Sequence, residues 1–106
     1  MKTIMLVCAA GMSTSLLVTK MQKAAEIQGI EADIFAKSAQ EIDDTLEQKN
    51  VEVLLLGPQV KFMQSQIESK LAGKNIPVAA INMQDYGMMN GEKVLDHALQ
   101  LIDSKG

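Results

Sequence analysis

Thr3-Ile4-Met5-Leu6-Val7-Cys8-Ala9-Ala10-Gly11-Met12-Ser13-Thr14-Ser15-Leu16-Leu17-Val18 is the stretch that decides the fold. Thr3–Val7 reads as a short apolar strand. Cys8 to Ser15 reads as a loop of small residues, and the loop opens a helix that runs from Ser13 to Gln28. Leu17, Met21, Ala24 and Ala25 recur there at helical spacing, and Gly29 ends the pattern. A strand that feeds a tight loop and then a helix begins a β-α unit. The loop also sits where unpaired backbone N–H groups and the positive end of the helix dipole converge.

The same alternation continues outward. Ala32–Ala36, Val51–Leu56 and Val78–Ile81 read as three further strands. The run Val51-Glu52-Val53-Leu54-Leu55-Leu56 is almost continuously apolar, as in a strand covered on both faces. Ser38 and Glu41 form a capping-box pattern ahead of Ile42 and Leu46. Pro58 suits the first turn of a third helix, with Val60, Met63, Ile67 and Leu71 on one face and Gly73 after its end. Asn90 suits the cap of a last helix that carries Val94, Leu95, Ala98, Leu101 and Ile102. The order β-α-β-α-β-α-β-α predicts an α/β fold, a four-stranded parallel sheet of order 2-1-3-4 with helices on both faces, a small flavodoxin-like sandwich. Ligands of such sheets bind at the carboxyl ends of the strands beside the topological switch. Here the switch falls between strands 1 and 3, so the Cys8 loop and Gly57-Pro58-Gln59 are expected there.

The 106 residues suit one domain, 1–106, with no repeats, linkers or low-complexity tracts. A lone cysteine makes no internal disulfide, which fits a reducing cytoplasm. No signal peptide or bilayer-length apolar run is visible. A net charge of −3 and the lack of a basic patch with aromatics argue against nucleic acid as a partner. All ten basic residues are lysines, so the chain supplies no guanidinium clamp for phosphate. Most of the eight methionines read as core filler, with Met12, Met88 and Met89 in loops or at helix ends.

The loop carries the chemistry. Ala9, Ala10 and Gly11 let the backbone approach an anion, and several N–H groups can converge on it as a nest. Ser13, Thr14 and Ser15 add hydroxyl donors. Helix entrances bind phosphate-like groups and favour the thiolate of a nearby cysteine. A thiolate facing a phosphate held by amides is placed for in-line attack on phosphorus. The plainer role for Cys8 is that of an inert, buried strand-end residue.

Cys8-Ala9-Ala10-Gly11-Met12-Ser13-Thr14-Ser15-Leu16-Leu17 resembles the phosphocysteine loop of the IIB subunits of the bacterial sugar phosphotransferase system, in the lactose/cellobiose family. Leu54-Leu55-Leu56-Gly57-Pro58-Gln59 is similar to that family's segment after strand 3, and Tyr86-Gly87 to its segment after strand 4. The resemblance implies a fold shaped like the low-molecular-weight tyrosine phosphatases. It implies that Cys8 is the catalytic nucleophile, phosphorylated by a phosphohistidine IIA protein, and that phosphocysteine passes its group to a sugar held by the membrane IIC subunit. Residues 9 to 15 would hold the phosphate, with Gln59 and Tyr86 as accessory residues. The implied protein is cytoplasmic, associates peripherally with IIC, and needs no cofactor or metal. Cellobiose, chitobiose and related β-glucosides all fit as the sugar. The rival is a cysteine-based phosphatase or arsenate reductase. Those enzymes follow a similar cysteine loop with arginine, where this chain has Thr14.

Other residues carry less. Asp85 could serve a phosphatase as acid but reads more simply as a turn residue. His97, the only histidine, falls inside the last helical pattern. Glu41, Asp43, Asp44 and Glu47 read as a solvated helix face. A nucleotide P-loop would need a Gly-Lys-Ser/Thr ending that is not present. One Cys and one His make a poor metal site.

Overall fold

Side chains alternate along a strand, so a strand buried on both faces must supply two sets of apolar residues. The first strand does this. In the computed structural model, β1 spans Lys2–Cys8, and Ile4, Met5, Leu6 and Val7 are all fully buried. The structure describes the backbone of residues 2–8 and 12–104, and the side chains of all of these except Met12 and Ser13. Ala9, Ala10 and Gly11 lie outside the described residues.

The chain continues through α1 (Met12–Gln28), β2 (Ala32–Ser38), α2 (Ile42–Gln48), β3 (Val53–Leu56), α3 (Gln64–Lys70), β4 (Val78–Ala80), α4 (Met83–Gly87) and α5 (Gly91–Ser104). The four strands form one parallel sheet of order β2-β1-β3-β4, as expected. Cys8 pairs in register with Ser38, Val7 with Leu56, and Leu56 with Ala80. The carboxyl ends of β1 and β3 therefore stand side by side at the switch.

Ile4 and Leu6 of β1 and Val53 and Leu55 of β3 face α1 and α5, packing on Leu17, Met21, Val94, Leu95 and Ala98. Met5, Val7, Leu54 and Leu56 face the other way, against Ile42 of α2 and Ile67 of α3. Burying each such side chain is worth about 1.5–3 kcal/mol. This two-sided burial explains the unbroken apolar run of β3. At Gly91 the start of α5 crosses α1 closely: a Cβ there would lie 2.5 Å from the Lys20 carbonyl carbon.

The structure shifts several sequence-derived limits. β1 takes in Cys8, which is thus a strand residue and not the first of the loop. β2 extends to Ser38. β3 begins at Val53, not Val51, although the Glu52 amide still donates to the Thr3 carbonyl at 2.9 Å. β4 stops at Ala80, one residue before Ile81. The third helix is broken. Pro58–Met63 is 3-10, kinked at Val60 (φ −119°, ψ 18°), and only Gln64–Lys70 is α-helical. Gly73 sits inside a further 3-10 turn, and Asn75 (φ 55°) makes the left-handed turn instead. Gly29 (φ 72°) does end α1. The Glu41 carboxylate accepts from the Ser38 amide at 3.0 Å, but a 3-10 turn, Ala39–Glu41, precedes α2. Asn90 accepts from the Lys93 amide at 3.2 Å as a cap should. An additional helix, α4, occupies a segment that periodicity leaves as loop.

Candidate functional site

Cys8 is the last residue of an inner strand, and the chain enters α1 four residues later, at Met12. Its side chain is 3% exposed. Beside it, the Gly57 amide donates to the Val7 carbonyl at 2.8 Å, continuing the β1–β3 ladder past the end of β3. Gly57 is closely surrounded. A Cβ there would lie 3.6 Å from the Cys8 Cβ and 3.0 Å from Gln59 Oε1. The residue after β3 therefore has both the Gln59 side-chain amide and the Cys8 side chain as neighbours.

Thr14 lies in the first turn of α1 and is 0% exposed. Its Oγ1 is 3.4 Å from the Tyr86 hydroxyl, and Gln59 Nε2 donates to that same hydroxyl at 3.4 Å. The Tyr86 ring packs in the core under α1 and α5. Three of the expected site residues, from three segments far apart in sequence, thus meet at one oxygen. Thr14, Gln59 and Tyr86 are all neutral. Such a cluster offers O–H and N–H dipoles to an anion instead of a cation.

The remaining expected residues fall differently. Ala9, Ala10 and Gly11, and the side chains of Met12 and Ser13, lie outside the described residues. Ser15 is exposed, and its carbonyl accepts from Thr19 Oγ1 at 3.1 Å. Asp85 lies in the first turn of α4 and not in a loop: its amide donates to Asn82 Oδ1 at 3.0 Å and its carbonyl accepts from the Asn90 amide at 2.8 Å. Its side chain lines a polar groove with Lys93, Asp96 and His97 of α5. Glu41, Asp43, Asp44 and Glu47 are exposed.

One contributor escapes periodicity. Asn82 caps α4 by accepting from the Gln84 and Asp85 amides, and so sets the helix that carries Tyr86. Its signal is local: an Asn followed three residues later by an acidic residue marks a helix start. Among the described residues, no group of three or more His, Cys, Asp or Glu side chains could hold a metal ion. No described helix is long and apolar enough to cross a membrane.

Comparison with known proteins assigns the chain to a family. The profile described as "PTS system, Lactose/Cellobiose specific IIB subunit" matches residues 3–97. A galactose-specific EIIB component of Lactococcus lactis subsp. cremoris is 52% identical over 105 residues, covering 96% of this chain and 97% of the relative. An oligo-beta-mannoside-specific EIIB component of Bacillus subtilis is 40% identical over 102 residues, covering 96% and 97%. Among solved structures, the solution structure of a cellobiose-specific phosphotransferase IIB component from Borrelia burgdorferi superposes with a TM-score of 0.80 at 40% identity, covering 99% of this chain and 94% of the other. A lactose-specific IIB domain from Streptococcus pneumoniae shares the fold, with a TM-score of 0.82 at 15% identity over 93% and 95% of the two chains.

Proposed function

This chain belongs to the lactose/cellobiose-specific IIB family of the sugar phosphotransferase system, and from that premise we propose that Cys8 is its phosphoryl carrier. Family membership makes it a phosphotransferase component of sugar transport. The observation that carries the finer reading is the place of Cys8. The only cysteine of the chain ends an inner strand at the switch point, four residues before α1 begins.

In the first step the Cys8 thiolate attacks phosphorus on the phosphohistidine of a IIA protein. An S–P bond forms, the N–P bond breaks, and the imidazole nitrogen keeps the electron pair. In the second step a hydroxyl of a sugar held by the membrane IIC subunit attacks the same phosphorus. An O–P bond forms, the S–P bond breaks, the hydroxyl proton passes to solvent, and Cys8 returns to thiolate. Backbone amides of residues 9 to 15 hold the phosphoryl oxygens, helped by the hydroxyls of Ser13, Thr14 and Ser15. Gln59 and Tyr86 flank them. No cation is required, because amide and hydroxyl dipoles preorganised at a helix entrance favour the charge.

The reading takes residues 1–106 as one cytoplasmic IIB domain that meets the membrane only through IIC. The sugar is a β-linked disaccharide of the cellobiose type. Relatives 40–52% identical to this chain carry the names galactose, cellobiose and oligo-beta-mannoside, which supports placing the choice of sugar in IIC. Hydrolysis is disfavoured by Thr14, which stands where phosphatases of similar loop length place arginine.

The test is transfer of labelled phosphate from a phosphorylated IIA protein of this family, followed on this chain and on Cys8→Ser. One phosphate should join the wild-type chain and none the variant. Label accepted by Cys8→Ser, or sugar phosphorylation that persists in it, would overturn the reading.

A further inference from the structure

Tyr86 presents two different parts to the protein. Its ring belongs to the apolar core beneath α1 and α5, whereas its hydroxyl reaches both Thr14 Oγ1 and Gln59 Nε2 at 3.4 Å. These partners are 72 and 27 residues away in sequence, so no local turn holds the three together. Thr14 follows β1, Gln59 follows β3 and Tyr86 follows β4. The hydroxyl thus ties together the segments that leave three neighbouring strands beside Cys8.

Both contacts are longer than the usual hydrogen bond. Hydrogen bonds at about 2.8–3.0 Å are the norm, and those at 3.4 Å contribute little to a resting fold. Long hydrogen bonds of this kind are common in sites without substrate and tighten when the reacting group arrives. The ring packs in the core while the hydroxyl meets donors from two other segments, so one residue couples the core to the mouth of the site.

We infer that Tyr86 is a positioning residue for phosphoryl transfer, whose hydroxyl sets Thr14 and Gln59 in the arrangement that receives the phosphoryl group at Cys8. The inference rests on the reading of Cys8 as carrier. In-line transfer is sensitive to displacements of about 1 Å. Charge in the transition state spreads over three equatorial oxygens, so donors must be aimed as well as near. A chain without arginine has no bidentate clamp for that aim, and the Tyr86 hydroxyl links two neutral donors from separate segments.

The experiment is single-turnover transfer from a phosphorylated IIA protein of the same family, across a range of donor concentrations. The chains compared are wild type, Tyr86→Phe, Thr14→Val, the double variant, Gln59→Leu and Cys8→Ser. Tyr86→Phe should lower the saturating rate about three- to tenfold, the size of one neutral hydrogen bond, and leave the half-saturating donor concentration unchanged. The double variant should be slower than Thr14→Val alone but lose less than the product of the two single losses, because Tyr86 acts partly through Thr14 and partly through Gln59. An unchanged rate, an additive loss, or a loss confined to half-saturation would overturn the inference. Should Tyr86→Phe fail to fold, Gln59→Leu, at an exposed position, carries the same expectation and the same refutation. Cys8→Ser separates the two claims. A labelled Cys8→Ser sinks the carrier reading, whereas an inert Cys8→Ser beside a full-rate Tyr86→Phe sinks only the positioning role.

Discussion

Thr14 is fully buried in the first turn of α1 with its hydroxyl directed at Tyr86, so it can present one O–H where a hydrolytic relative would present a guanidinium. A guanidinium grips two phosphoryl oxygens at once, and a hydroxyl grips one. Aryl phosphate hydrolysis by the wild-type chain is therefore expected at background, measured as release of nitrophenol from p-nitrophenyl phosphate; robust turnover would revive the phosphatase reading. Gly57 makes a second case at this scale. Its backbone (φ −63°, ψ 157°) suits any residue, and the tightest contact of an added Cβ, at 3.0 Å, is the flexible end of Gln59. Gly57→Ala should hold or slightly raise the melting temperature, since Ala reduces the entropy of the unfolded chain by about 0.4–1 kcal/mol. It should also slow transfer by displacing Gln59. A full transfer rate in Gly57→Ala would argue that the place of Gln59 is immaterial. Cys8 and Thr14 are legible in the sequence because loop and helix entrance are contiguous. Asn82 is legible only as a cap, with no hint of what its helix carries.

Helices differ in how far their sequences announce them. α5 buries Val94, Leu95, Ala98 and Ile102 at clean helical spacing, and Asn90 marks its start. α4 has five residues, too few for periodicity to register, and exists because Asn82 caps it and Tyr86 anchors it. Asn82→Ala should cost about 0.5–2 kcal/mol, read as a lower denaturant midpoint, and should slow transfer more than an unrelated variant of equal stability. Equal slowing in the two would detach α4 from the site. The third helical pattern is correct about its buried face but not about its start. Pro58 begins a 3-10 segment that bends at Val60 before α3 forms, and nothing in the spacing of Val60, Met63 and Ile67 reveals that bend. Gly91 is where α5 meets α1. A Cβ would lie 2.5–2.7 Å from the Lys20–Met21 backbone, which has no flexible end to give way. Gly91→Ala should lower stability by about 1–3 kcal/mol, measured by urea unfolding. An unchanged midpoint would show that the two helices can part without cost.

Across the molecule, one sheet divides two cores, and β3 serves both. Leu55→Ala should cost about 2–5 kcal/mol by leaving a cavity against α1 and α5. A loss below about 1 kcal/mol, measured by thermal or urea unfolding, would mean that those helices close over the gap. The ion pairs matter less. Lys49–Asp33 at 2.6 Å and Lys70–Asp43 at 3.0 Å join partly exposed side chains, the setting in which pairs contribute about 0–1 kcal/mol. By itself the sequence determined the alternation of strands and helices, the parallel sheet order, the two-sided burial of β3, and a lone cysteine at a strand end that opens a helix. These follow from period, capping and composition, which are local and repeat along the chain. Only the tertiary structure decided that Tyr86 reaches Thr14 and Gln59, that Gln59 and Cys8 both border Gly57, and that a five-residue helix carries Tyr86. Those contacts join residues tens of positions apart. They depend on where neighbouring strands end and on which side chains the packed core pushes toward the mouth.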